Sequence, residues 1–239
     1  MIDHEDLDPH LESGIGTLNE GSLHAALKRL YARAGDSFEV PRSGFVIDIV
    51  RDEDLPTEQL IEIQTGSFGA LGNKFDRLLE DHQILVVHPI AVSTILERAD
   101  RSGRRSPKRG SIYELLDQLV SLPTMLDHPN LELDVVLHTE VKKQIHDPSL
   151  RRRRGGWRTV DRHLVDIVET RRFRTIDDVA ALAPSDLPPE FTTADIAERS
   201  DMSREAAQKL CYCLRAAGVY DVINRTKAGH VHVDTRRGV

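Results

Sequence analysis

Asp48 and Glu62 are the residues whose type and setting point most directly to chemistry. Each carboxylate lies inside an apolar, β-branched run, Phe45-Val46-Ile47-Asp48-Ile49-Val50 and Leu60-Ile61-Glu62-Ile63-Gln64. A charge in such a run is costly unless it is paired, bound to a metal or turned to water. Strand alternation puts Glu62 and Gln64 on one face, with Ile61 and Ile63 on the other. Neighbouring strands lie about 4.8 Å apart, so two carboxylates from adjacent strands can converge on one Mg²⁺ or Mn²⁺, ions that take oxygen ligands. A metal held in that way activates water and stabilises charge building on a phosphoryl group. For either acid taken alone, an open sheet face or pairing with arginine is the plainer reading, and it is the pair in this element order that points to chemistry.

The elements that must position these acids follow from periodicity and breakers. Leu23, Ala26, Leu27, Leu30 and Tyr31 recur at helical spacing, which predicts a helix over 20–34 that stops at Gly35-Asp36. Three short β-like runs follow at 37–40, 45–50 and 59–64, then a helix over 70–80 and an apolar strand at 84–87. Further helices are expected over 91–99, 112–120, 160–169 and 176–182, with a strand at 131–137. Helix, three strands, helix and strand in that order imply an α/β fold, a mixed sheet covered by helices.

With the residues in place, this order resembles the PD-(D/E)xK nuclease superfamily and its restriction endonuclease-like core. The resemblance covers about residues 20–90 and rests on Asp48 in the second strand and Glu62-x-Gln64 in the third. It implies a DNA endonuclease with Mg²⁺ or Mn²⁺ between Asp48 and Glu62. Glu20, opening the first helix, is the implied third metal ligand, and its ordinary role is an acid in a first helical turn. Gln64 stands where the family usually has lysine. Gln64 can orient water, and Lys74 in the following helix occupies the place to which that lysine has moved in some members. The alternative is a degenerate core that does not cut. His24 and Lys28 follow Glu20 on the same helical side; they could approach the site, though a solvated or packed role is the plainer reading. Thr65-Gly66-Ser67-Phe68-Gly69 is a glycine turn that could present N–H groups to phosphate.

The C-terminal part has its own pattern. Thr192 and Ser203 are placed to cap two helices, and Ala206, Leu210, Cys213, Leu214 and Ala217 form an apolar stripe on the second. Two strands around 224–229 follow Gly218. Over about 190–234 this resembles a winged helix-turn-helix, so the second part is expected to be a mostly α winged-helix domain. The implied DNA contacts are Arg204, Gln208, Lys209, Tyr212 and Arg215 on the second helix, with Arg225 and Lys227 in the wing. A protein partner, or packing on the first half, would use the same shape. Cys211 and Cys213 read as helix residues rather than ligands, and His230 and His232 as an exposed wing pair. The chain as a whole resembles an uncharacterised bacterial family that joins such a core to a winged helix.

The domain order expected is an acidic tail at 1–18, the α/β domain at 19–147, a basic linker at 148–158 around Arg151–Arg154, and a helical segment with the winged helix at 159–239. Net charge is −7 over 239 residues, and residues 1–20 carry six acids and no lysine or arginine. That composition excludes a uniformly basic coat protein and leaves local basic runs at 98–109 and 142–174 free to meet phosphates. The tail could mask those runs. No apolar run nears the ~18 residues of a membrane span, and the start of the chain is acidic rather than signal-like. A cytoplasmic protein without a membrane partner is expected, with DNA as partner and a homodimer left open. The rival to the endonuclease is a non-catalytic DNA-binding or transcription-regulatory protein with a degenerate nuclease core.

Overall fold

The structure, a computed structural model, describes residues 21–98, 101–150, 156–227 and 229–238. The acidic tail, Glu20 and the run Arg151–Arg154 lie outside the described residues.

The chain opens with α1 (Ser22–Tyr31), β1 (Ser37–Arg42), β2 (Phe45–Arg51), β3 (Gln59–Ile63), α2 (Gly72–Leu78) and β4 (Gln83–Arg98). It continues through β5 (Arg101–Arg105), α3 (Leu116–Leu119), β6 (Leu131–His146) and β7 (Trp157–Phe173). The strands form one mixed seven-stranded sheet in the order β1-β2-β3-β4-β6-β7, with β5 pairing β4. β3–β4 and β4–β6 run parallel, and the other pairs run antiparallel. Both faces are covered. Leu23 and Leu27 of α1 pack on Ile49, Ile61, Ile63, Leu85 and Val87. On the opposite face Phe75 and Leu78 of α2, with Leu116 and Leu119 of α3, pack on Leu60, Val86, Leu133 and Val135. An α/β fold built on a mixed sheet is therefore what the chain adopts.

Two expected helices are strands. Residues 91–99 fall largely in β4, whose parallel pairing with β6 continues through Thr94↔Glu140 to Arg98↔Gln144. Their β-branched Val92, Thr94 and Ile95 favour an extended chain once β6 is there to pair with. Residues 160–169 lie within β7, and the reason they look helical is specific. The β6–β7 ladder skips Val168 between Leu137↔Glu169 and His138↔Ile167, Val165 between Thr139↔Asp166 and Glu140↔Leu164, and Val160 between Lys143↔Asp161 and Gln144↔Thr159. Each is an extra residue of a β-bulge, and each skip breaks strict alternation. Leu164 and Ile167, three apart, thus both turn toward the α1 core. The three skipped valines face out, 46%, 53% and 59% exposed for Val160, Val165 and Val168. The division drawn at 148–158 consequently cuts through the hairpin joining β6 to β7, and residues 159–173 belong to the large sheet.

After β7 come α4 (Ile176–Ala180), β8 (Glu190–Phe191), α5 (Thr193–Glu198), α6 (Arg204–Ala216), β9 (Tyr220–Thr226) and β10 (Gly229–Asp234). β8, β10 and β9 make a three-stranded antiparallel sheet in that order. The expected mostly α domain is corrected to helices packed on a small sheet, because the short Glu190-Phe191 strand adds a third member to the hairpin. Thr192 accepts from the Ala194 and Asp195 N–H groups while Asp195 accepts from the Thr192 N–H, a reciprocal cap that starts α5. Ser203 accepts from the Ala206 N–H to start α6. Val179, Phe191, Leu210 and Cys213 are continuous with the core of the large sheet.

Candidate metal centre and nucleic-acid face

Registered pairing of β2 with β3 ends at Ile49↔Ile61, and one further step sets Asp48 opposite Glu62. There the Asp48 side chain replaces the ladder, its Oδ2 accepting the Ile63 N–H at 2.8 Å. The same oxygen lies 3.3 Å from Nε2 of His24 on α1. Burial draws the Asp48 carboxyl upward, but the hydrogen bond and charge of His24, the Ile63 N–H and the charge of Lys28 outweigh it and hold the group below its usual range. Lys28 is fully buried and pairs with Glu39 of β1. Glu39 sits at φ +53°, a left-handed turn of the strand, and on either side of it Phe38 and Val40 pack on opposite faces of the sheet.

Glu62 behaves oppositely. Its Oε1 meets Nζ of Lys74 at 2.7 Å, and Lys74 also donates to the Val46 carbonyl at 3.2 Å. Its Oε2 is buried with no hydrogen-bond partner. Burial and then the Asp48 charge raise the Glu62 carboxyl, and Lys74 recovers only part of that shift. Asp48, Glu62 and Lys74 are thus brought together, with His24 beside them. Among the described residues no three His, Cys, Asp or Glu side chains gather into a metal-binding group. The Asp48 charge bears on Glu62, and the orphaned Glu62 oxygen is of the kind that a hard divalent cation takes.

Gln64 does not face the pair in the expected way. Its side-chain amide donates to the Ser67 carbonyl at 2.6 Å, closing its own turn, and its main-chain carbonyl meets His88 Nδ1 at 2.7 Å. In that turn the Phe68 N–H reaches Gln118 and the Gly69 N–H reaches Ser67 Oγ. Those donors are already engaged, so the segment serves as a turn.

On the C-terminal part, Arg204, Gln208, Tyr212, Arg215 and Arg225 line one cavity of about 290 Å³ between α6 and the β9–β10 hairpin. Five of the seven expected DNA contacts therefore share a surface. Lys209 does not, since its Nζ bridges Asp117 and Glu205 at 2.6 Å each and ties α6 to α3. Lys227 is exposed at the hairpin tip. His230 is exposed, whereas His232 is buried and stacks on Phe191, which corrects the exposed pair. Cys211 and Cys213 are buried, and burial pushes both thiols up to about 12.

Reasoning from sequence missed a second polar cluster, Glu140 with Thr94, Lys142 and Arg162. Only pairing of β4, β6 and β7 assembles it, and the one signal in the chain is an acid inside Val136-Leu137-His138-Thr139-Glu140-Val141.

The profile of the family described as "Domain of unknown function (DUF8091)" matches residues 21–174, the stretch that ends with β7. A protein of Treponema pallidum (strain Nichols), described as uncharacterized, is 33% identical over 190 residues, 77% of this chain and 74% of that protein. No solved structure matches the chain.

Proposed function

This chain belongs to the DUF8091 family, and we propose that it is a metal-dependent DNA endonuclease that hydrolyses phosphodiester bonds and docks on duplex through a winged helix. The observation that carries the reading is Glu62, a carboxylate tied to Lys74 through one oxygen while the other is buried, unpartnered and repelled by Asp48. A buried oxygen in that state is unfavourable as a bare charge, and a proton or a cation relieves it. Asp48 and Glu62 are the described residues that would hold Mg²⁺ or Mn²⁺, and Glu20, outside the described residues, is the third ligand that the resemblance implies. When bound, the metal supplies an activated water and a Lewis acid for the phosphoryl oxygen. Lys74, not Gln64, is the group positioned to offset charge developing beside Glu62. His24 holds the Asp48 carboxylate in place from α1.

The DNA reading draws support from the order α4, β8, α5, α6, β9, β10 and the arginine-lined cavity between α6 and the hairpin. Both resemble a winged helix-turn-helix, in which the second helix enters the major groove. One observation favours the rival, a DNA-binding regulator with a degenerate core: the Gln64 amide is engaged with Ser67.

The test is a cleavage panel of linear, nicked, branched and single-stranded DNA with Mg²⁺ and Mn²⁺. Asp48→Ala and Glu62→Ala are expected to abolish cleavage while DNA affinity and the circular dichroism spectrum stay unchanged. Metal alone should also stabilise the wild type, by about 2.7 kcal/mol at a hundredfold excess over Kd, and not Glu62→Ala. DNA binding with no cleavage of any substrate and no stabilisation by metal would select the regulator.

A further inference from the structure

A second pocket opens at the strand next to the carboxylate pair. It has a volume of about 240 Å³, and His88, Thr94, Ser106, Lys142 and Arg162 are among its walls. Beneath it Glu140 has no exposure at all. Its Oε2 lies 2.7 Å from Nε of Arg162, and its Oε1 lies 3.0 Å from Nζ of Lys142 and 3.2 Å from the Thr94 hydroxyl. Burial pushes the Glu140 carboxyl up, yet His138, Arg162 and Lys142 hold it well below its usual range, so it stays charged.

The charges do not cancel. Two permanent cations face one carboxylate, and both cationic side chains remain about a third exposed, 33% for Lys142 and 32% for Arg162. Of the other acids on the wall, Glu114 meets Lys108 at 3.1 Å, and Asp117 shares Lys209 with Glu205 at 2.6 Å each. The excess of one positive charge is local to the cluster in which Lys142 and Arg162 share Glu140. Burying an ionic group is costly, and an apolar trio of the same volume is often as stable or more so. A buried acid that pins two cations at a wall makes sense as a device for orienting them toward an anion.

The location says which anion. His88, on the same wall, holds the carbonyl of Gln64, two residues beyond Glu62 in the chain. The β4–β5 hairpin borders the pocket, with Ser106 N–H on the Thr94 carbonyl and exposed Arg104 and Arg105 continuing the positive surface. The cavity is ample for a phosphate with its waters, given ~30 Å³ per water. We propose that this pocket is a phosphate subsite, gripped by Lys142 and Arg162, that takes a backbone phosphate next to the one lying at Asp48 and Glu62. This rests on the endonuclease reading for its ligand, while its chemistry, phosphate recognition, is testable without cleavage.

The probe is inorganic phosphate, titrated into the full chain by calorimetry. Wild type is expected to bind it saturably. Lys142→Gln and Arg162→Gln are each expected to weaken that binding at least tenfold, and Glu62→Ala to leave it unchanged. Because either single variant disturbs a buried pair, the compensated triple Glu140→Gln/Lys142→Gln/Arg162→Gln removes the acid along with its cations. Circular dichroism checks that it folds, and it should not bind phosphate. No saturable binding by wild type, or equal binding by the triple variant, overturns the subsite. With duplex DNA, the slope of log affinity against log salt should become shallower by about 0.9 for each phosphate that the variant no longer neutralises. Phosphate binding with an unchanged DNA slope assigns the pocket to a free anion and overturns the backbone assignment. Phosphate binding and the shallower slope without any DNA cleavage by wild type would leave the subsite standing and remove the nuclease.

Discussion

At the scale of single residues, Lys74 balances the buried Glu62 charge. Lys74→Met leaves that carboxylate facing Asp48 with no cation opposite it, and removing one partner of a buried pair typically costs about 3–5 kcal/mol. That loss is expected in urea unfolding at pH 7. Its pH dependence has a definite sign. The Glu62 carboxyl is raised in the folded chain, so the native state keeps a proton that the unfolded state releases. This contribution to stability is therefore full in acid and falls as pH rises above about 4.3. Lys74→Met steepens that fall, so the gap between variant and wild type should narrow as pH is lowered. Asp48 runs the other way, since its carboxyl is depressed and its stabilisation is lost as pH falls. Under the proposed docking on DNA, Arg215→Ala should weaken binding across sequences and lower the salt slope by about one, whereas Lys209→Ala should leave the slope unchanged. Lys209 already meets Asp117 and Glu205. The acids of the site were legible because a charge in an apolar strand is conspicuous. The engagement of Gln64 and Lys209 was not, because a neighbouring hydrogen bond depends on distances that spacing along the chain does not set.

At the scale of elements, β7 is the most instructive. Its three bulged valines lie outside the ladder, so Val165→Thr is expected to shift stability by no more than about 0.5 kcal/mol. Leu133, buried on β6 in the core beneath α2 and α3, should lose about 2–5 kcal/mol as Leu133→Ala. Chemical denaturation of both variants checks the contrast, and a large loss at Val165 would mean that the valine packs. The bulges also interrupt the open outer edge of a strand 17 residues long, whose inner edge pairs with β6. They explain the error over 160–169. Val160, Leu164, Ile167 and Val168 fall at i, i+4, i+7 and i+8 because inserted residues have shifted a period of two toward one resembling a helix. The strands around Asp48 and Glu62 carry no such insertion between Ile49 and Arg51, and they were read correctly.

At the scale of the whole molecule, one core passes from the large sheet into the C-terminal part, through Leu133, Phe173, Val179 and Leu210. Leu210→Ala should therefore lower the unfolding midpoint reported by fluorescence of Trp157, the chain's one tryptophan, which lies in β7. Two separate transitions, with the Trp157 signal unmoved, would show that the two parts unfold independently. The sequence by itself determined the local features: the helix over α1, the three strands that follow, the acids inside two of them, and the capped helices at Thr192 and Ser203. These rest on propensity, caps and the period of apolar residues, all of which act within a few positions. Tertiary structure alone decided that residues 159–173 join the large sheet, that Lys74 rather than Gln64 stands at Glu62, and that Glu140 is buried against Lys142 and Arg162. Each of those depends on strands or helices distant in the chain meeting at a particular register, and register is set by which faces can be buried together rather than by any run of neighbours.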